Sequence, residues 1–315
     1  VNAPVSRARA LGALSAAAAL APSLVGAQAP SVRLGGSGTD LYIEPFLALD
    51  AGYFSRAGLS VDVSALANGG AIASAVAGGA LEAGLADMIQ IANAVNRGLP
   101  FAFFAGSGLY SSEAPILALC VAKNGAMKSA KDIEGGTVAL VALKSITEAA
   151  VREWLRQNGA DLAKIKFIEM PYGEMTPALA RGTVAAAFLG EPFLSAGKDD
   201  VRIVGRCYDV VAPSFYISAW FGSRDWIGKN PEVVRKLAGA LYACASWANG
   251  HHDETAPILA KYAKLDVGRI RAMNRTRYAT TLDPRLMQPV LDIAVRYQLI
   301  EKPVAAADLI VRLPA

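Results

Sequence analysis

The chain has 315 residues, a formal net charge of +4 at pH 7, 53% hydrophobic residues and 18% charged ones. So mild a charge gives no electrostatic reason for a nucleic-acid partner or an anionic membrane surface. Cys120, Cys207 and Cys244 lie far apart with no C-x-x-C spacing, which argues against a disulfide framework or a zinc site and for buried apolar residues.

Arg7 and Arg9 precede an apolar run from Ala10 to Val25, and Ala27-Gln28-Ala29 follows with small residues at a cleavage site. That order is the signature of a secretory signal peptide over residues 1–29, cleaved near Ala29, and it predicts a periplasmic product. Pro22 interrupts the run, which is short for a bilayer core of about 30 Å. No cysteine follows the small residues, so a lipid anchor is not expected. A mature chain of about 286 residues, with a net charge of about +2, suits two lobes of ordinary domain size. Past the signal no apolar stretch is long and uninterrupted enough to span a bilayer.

Short β-branched runs then alternate with helical patterns. The sequence predicts strands at 32–35, 60–64, 83–86 and 100–105, then at 116–121, 137–142, 165–170, 185–189 and 202–205. Helices are expected at 42–51, 71–77, 89–97, 146–157 and 175–180. From Pro231 onward strands are expected to stop, leaving a helical tail at 231–249, 254–262 and 284–297. Asn230-Pro231 and Asp283-Pro284 supply N-cap and first-turn proline signals there. Such alternation predicts an α/β protein with mostly parallel sheets and a C-terminal helical tail.

An internal echo points to two similar lobes. Ala75, Ala77, Gly79 and Ala83 recur as Ala178, Ala180, Gly182 and Ala186, offset by 103 positions. In each copy a helix ends at glycine and a short strand follows. A second echo pairs Ala118–Lys123 with Ala219–Arg224, each read as a strand ending in a basic residue. These two segments bracket the second lobe and are where the hinge strands are expected. Two α/β lobes present the C-terminal ends of their strands to a ligand, so the cleft between them is the expected site.

Several phrases carry a family resemblance. Glu44-Pro45-Phe46-Leu47-Ala48-Leu49-Asp50-Ala51-Gly52-Tyr53-Phe54, followed by Ala57-Gly58-Leu59-Ser60-Val61-Asp62, resembles a phrase of the nitrate/sulfonate/taurine-type substrate-binding proteins of ABC transporters, which include thiamine-precursor-like members. The likeness continues through Gly69-Gly70, Lys131–Ala139, Pro177–Ala186 and Glu191-Pro192-Phe193. The resemblance implies a two-lobed periplasmic-binding-protein fold of the two-crossover type. Lobe 1 would be residues 30–117 and 220–315, and lobe 2 residues 118–219. It further implies hinge closure on a small-molecule ligand, delivery to a membrane permease, a monomer, and no cofactor. Asp40 is an uncommon charge for the family's first loop and weighs against a simple anion such as nitrate or sulfonate.

Candidate ligand residues fall at strand ends and helix starts, where free N–H groups gather. The first set is Ser37, Thr39, Asp40, Leu41 and Tyr42, with Tyr42 placed to stack; an ordinary strand-to-helix turn explains the same residues. Asn68, Gly69 and Gly70 open a helix, where Asn68 serves equally as an N-cap. Asp87 and Met88 open another, with Asp87 read as a cap or as a contact for a ligand amine. Ser145, Ile146 and Thr147, beside Lys144, suit an oxyanion, although a capping box of Ser145 with Glu148 accounts for them without a ligand. Glu191 and Pro192 mirror Asp87-Met88 in the other lobe, and Tyr216 is placed to close an aromatic wall or to pack in the core. An acidic pair, Asp40 and Glu191, leans toward a donor-bearing solute; Lys144, Ser145 and Thr147 lean toward an acid.

An enzyme finds little support. The two histidines, His251 and His252, are adjacent in the tail, and there is no G-x-S-x-G elbow or phosphate loop. Gly36-Ser37-Gly38 with Asp62 hints at a dinucleotide fingerprint, but Leu41 stands where its third glycine belongs. A thiamine-pyrimidine synthase of the same fold depends on an active-site histidine and a cysteine cluster, which this chain lacks. A sensory module docking to a membrane receptor is the other alternative.

Overall fold

Apolar runs that read as strands form the middles of two five-stranded sheets. The strands are β1 (Ser31–Gly36), β2 (Ser60–Ala65), β3 (Ala83–Ala86), β4 (Phe101–Gly106), β5 (Gly108–Ser111), β6 (Leu117–Ala122), β7 (Thr137–Leu140), β8 (Lys166–Glu169), β9 (Ala186–Gly190), β10 (Val201–Gly205), β11 (Ser214–Tyr216), β12 (Ala219–Ser223) and β13 (Arg277–Tyr278). The computed structural model describes Val1 and residues 31–312. The expected export signal at 1–29 therefore lies outside the described residues, Val1 apart.

The first sheet runs β2-β1-β3-β12-β4 and the second, from the matching edge, β8-β7-β9-β6-β10. In the first, β2, β1 and β3 are parallel and β12 runs against both β3 and β4. In the second, β8, β7 and β9 are parallel and β6 runs against β9 and β10. Both sheets are therefore mixed, with one reversed strand each. Those reversed strands are the segments of the second echo.

The first echo also has a structural counterpart. Ala83 pairs with Leu34 of β1, and Ala186 pairs with Val138 of β7, so β3 and β9 hold equivalent places in the two sheets. Gly79 (φ +72°) and Gly182 (φ +69°) take the left-handed conformation between helix and strand, a turn that needs glycine for its backbone.

The helices are α1 (Glu44–Asp50), α2 (Tyr53–Arg56), α3 (Gly69–Ala77), α4 (Met88–Asn96), α5 (Ile146–Gln157), α6 (Tyr172–Ala180), α7 (Phe193–Ala196), α8 (Arg224–Lys229), α9 (Pro231–Gly250), α10 (His252–Ala263), α11 (Val267–Ala272) and α12 (Gln288–Arg296). Helix α9 buries Val234, Leu237, Ala238, Leu241, Ala245 and Ala248, a helical-period stripe that packs with Val32, Leu34, Phe46 and Trp220. Phe221, next in β12, points the opposite way and joins Ile72, Ile89 and Phe103. That second cluster continues through Tyr110, Phe215 and Tyr208 to Phe188, so apolar packing is continuous from one sheet to the other. Cys120, Cys207 and Cys244 are all buried, as the sequence led us to expect, and all three are free.

Three expectations need correction. Ala118–Lys123 and Ala219–Arg224, expected as hinge strands, lie inside the two sheets as β6 and β12, and the chain crosses between the lobes beside β5 and β11 instead. Strands do not stop at Pro231: β13 lies in a three-stranded sheet, β11-β5-β13, and Ile310 bridges to Phe103. This small sheet joins the two crossovers, pairing Ser214–Tyr216 with Leu109–Ser111. The predicted strand at 137–142 also ends early, at Leu140, because the chain there turns away toward the cleft.

Candidate functional site

Loops that follow strands of both sheets meet in one place. From the first sheet come Ser37, Thr39, Leu41 and Tyr42 after β1, Ala67, Asn68 and Gly69 after β2, and Asp87 and Gln90 after β3. From the second come Val141, Ala142, Ser145, Ile146 and Thr147 after β7, and Tyr172 after β8. Tyr208 and Ile217 complete the wall. They enclose a cavity of about 40 Å³, room for a few waters at most, so an organic solute enters only if the lobes part. An adjoining cavity of about 490 Å³ shares Asn68, Gln90 and Ala142 and adds Gly70, Arg97, Lys144 and Glu169.

Asp87 is the N-cap of α4. One carboxylate oxygen accepts from Ile89 N (2.9 Å) and Gln90 N (3.0 Å), and Gln90 Oε1 accepts in return from Asp87 N (3.3 Å). Its second oxygen reaches across the cleft to Ile146 N, the first N–H of α5, at 3.4 Å. Burial pushes this carboxyl up to about 7 although three N–H groups pull the other way. Asn68 likewise works twice, capping α3 through Ala71 N (3.0 Å) and donating from Nδ2 to Val141 O across the cleft (3.2 Å). Burial also raises the hydroxyl pKa values of Tyr42, Tyr172 and Tyr208, so all three line the cavity as neutral phenols.

The expected capping box of Ser145 with Glu148 does not form. Ser145 Oγ turns back to Ala142 O (2.8 Å) and lies 3.0 Å from Thr147 Oγ1. Glu148 instead accepts from Lys144 N (2.7 Å) and from Arg152 Nε (2.7 Å). Asp87 of the opposite lobe takes the capping position, an arrangement between residues 59 apart that local spacing cannot reveal.

Six candidates face elsewhere. Asp40 is fully buried against Arg275 (2.9 Å) and Thr276 N (2.5 Å), so its charge holds the tail. Glu191 turns back onto Ser195 N (3.0 Å) and Ser195 Oγ (2.8 Å), capping α7 beside a separate cavity, and Pro192 sits at that helix start. Met88 is in the apolar core, and Gly70 faces only the adjoining cavity. Tyr216 donates to Thr281 O (2.7 Å) and accepts from Asp283 N (3.1 Å), the core role of its two readings. Sequence reasoning missed Ala67, Gln90, Val141, Ala142, Tyr172, Tyr208 and Ile217. Gln90 and Tyr172 had a usable signal, since each stands in the first turn of a helix that follows a strand.

Gly69 shows how tightly the wall is built. A Cβ there would come within 2.3 Å of Gln90 Oε1 and 3.0 Å of the Tyr42 hydroxyl. Gly69→Ala is expected to displace both side chains and to cost about 1–3 kcal/mol of stability, as overpacking does. Denaturant unfolding measures it, and an unchanged midpoint would show that the wall gives way freely.

Two lobes with matching strand order, two crossovers and a cleft at the strand ends define the periplasmic-binding-protein class of fold. The profile of the family described as "NMT1/THI5 like" matches residues 42–255, and the chain belongs to that family. No curated protein sequence matches it. Among solved structures it is similar to the periplasmic aliphatic sulphonate binding protein SsuA from Escherichia coli, at 18% identity and a TM-score of 0.72, over 90% of this chain and 92% of that one. It is also similar to the alkanesulfonate-binding protein SsuA from Xanthomonas axonopodis pv. citri bound to MOPS, at 15% identity and a TM-score of 0.75, over 91% and 99% of the two chains. The desulfurization enzyme DSZB has the same fold, at 14% identity and a TM-score of 0.66, over 90% and 96%.

Proposed function

We propose that the protein is an exported, non-catalytic receptor that captures a small solute between its lobes and delivers it to the permease of an ABC transporter. The observation that carries this reading is the convergence of strand-end loops from both sheets on one cavity, spanned by Asp87–Ile146 and Asn68–Val141 contacts. On this reading, 30–117 with 220–315 is the first lobe and 118–219 the second, and the described residues, 31–312, hinge through β5 and β11. Ser37, Thr39, Leu41, Tyr42, Asn68, Gly69, Asp87, Ser145, Ile146 and Thr147 contact the solute, joined by Gln90, Tyr172 and Tyr208. Export rests on the N-terminal pattern of Arg7, Arg9, the apolar run and Ala27-Gln28-Ala29.

DSZB makes an enzyme on this fold a fair alternative, but the cavity offers little to run one. Among the described residues lining it there is no histidine and no cysteine. The three cysteine thiols are buried, and burial pushes Cys120 up to about 12.

Protein expressed from Pro30 is expected to melt at higher temperature with its solute, by about 2.7 kcal/mol of added stability at a hundredfold excess over Kd. Thermal shift across sulfonates, carboxylates, pyrimidines, amines and sugars is the test. A panel of that breadth with no effect would sink the receptor reading.

A further inference from the structure

The solved structures similar to this chain include two sulfonate-binding proteins, yet its cavity is built for the opposite charge. We infer, on the receptor reading above, that the chamber selects a planar solute bearing a cationic or hydrogen-bond-donating nitrogen, and that Asp87 is the residue that reads that nitrogen and turns anions away.

Among the described residues lining the chamber there is no lysine, arginine or histidine, and Asp87 is the one carboxylate. Lys144, which the sequence placed beside an oxyanion site, faces the adjoining cavity instead. Glu148, at the start of α5, does not line the chamber and is neutralised by Arg152 at 2.6 Å.

The N-termini of α3, α4 and α5 all open on this chamber, and by themselves they would attract an anion. Here the anion is already part of the protein. Asp87 satisfies two N–H groups of its own helix and reaches toward the first N–H of α5 in the other lobe. Once Asp87 is ionised, above the value of about 7 to which burial pushes it, a sulfonate or nitrate arriving there would bring a second negative charge to a buried carboxylate with no cation beside it. The oxygen facing Ile146 has a single long contact of 3.4 Å and is the acceptor left for a solute. Three phenol rings, Tyr42, Tyr172 and Tyr208, line the remaining space. Aromatic walls beside a lone carboxylate suit a flat ring carrying an amidine or amine, by stacking and by cation–π attraction.

Benzamidine and benzoate test this directly, being nearly the same size and shape with opposite charge. Ethanesulfonate and nitrate extend the anion arm. At pH 8, above the value of about 7 to which burial pushes Asp87, benzamidine is expected to raise the melting temperature of wild-type protein, with the three anions inert. Asp87→Asn is expected to weaken benzamidine binding at least tenfold by calorimetry. Asparagine caps a helix as well as aspartate does, so α4 should persist, checked by circular dichroism. Anions that stabilise the wild type as well as benzamidine does would overturn the inference and leave the receptor reading intact. So would undiminished benzamidine affinity in Asp87→Asn. If no member of the broad solute panel stabilises the protein, the receptor reading itself falls, and the inference with it.

Discussion

Replacing Arg275 by alanine is expected to destabilise the protein by about 3–5 kcal/mol, the usual consequence of stripping one partner from a buried ion pair. The side chains of Arg275 and Asp40 are only 5% and 1% exposed. Arg275 Nε donates to Asp40 Oδ1 at 2.9 Å, and its Nη1 donates to Thr255 Oγ1 (3.1 Å) and His252 O (3.3 Å). The Tyr278 hydroxyl donates to the backbone oxygen of Asp40. Without the guanidinium a carboxylate stays buried with only Thr276 N as a partner. The paired change Asp40→Asn with Arg275→Met removes both charges together and is expected to cost clearly less than Arg275→Ala alone. Urea unfolding of the three proteins gives the comparison. A loss below about 1 kcal/mol for Arg275→Ala would show that the pair is solvated in solution. Because Asp40 sits between Thr39 and Leu41, both cavity residues, the same variant should also loosen the solute site.

That ion pair shows where reading the sequence stops. Asp40 looked like a ligand contact because its loop follows β1, and its partner stands 235 positions away. Local signals performed well where the cause is local. Asn68 and Asp87 were legible as helix starts, and α5 spans the 146–157 read from the sequence, because capping and periodicity act within a few residues. The two-lobed architecture was legible through the Gly79 and Gly182 echo, since equivalent turns at equivalent places demand glycine twice. Strands β5, β11 and β13 have 4, 3 and 2 residues, too short for a period of two to register. Tyr208 lies in a short 3-10 turn and Ile217 on the second crossover, and only closure of the fold brings either to the cavity. Glu191 resembled a mirror of Asp87 and holds the matching place after β9, yet a serine four residues on captures its carboxylate.

Raising the pH from about 5 to about 8 is expected to lower stability, with Asp87 and Glu44 carrying much of the loss. Both carboxyls are pushed up to about 7 by burial, from ordinary values of 3.8 and 4.5. Glu44 accepts from Ser107 Oγ (2.5 Å) and Trp220 Nε1 (2.7 Å), and its other oxygen is buried without a partner. Between those ordinary values and about 7 the folded chain holds protons that the unfolded chain has released, so stability falls as pH rises through the window. The contribution is complete below the unfolded values and gone once the folded groups ionise. From about pH 5 to about 7 each group is worth roughly 3 kcal/mol. His252, pushed down by partial desolvation, works in the opposite sense, but it is exposed and contributes little. Glu153 sets the acid limit: Arg156 foremost, then Tyr297 and Gln157, hold it down at about 2, so its support vanishes as pH falls from 4.5 toward that value. Stability should therefore peak on the acid side of neutrality. Asp87→Asn and Glu44→Gln each remove one titration and should flatten the decline in urea midpoints above about pH 5. Wild-type slopes in both variants would mean that neither carboxyl is protonated in the folded protein. Asp87 would then carry its full negative charge in the cleft at every pH in that range, and its repulsion of anions would no longer depend on pH.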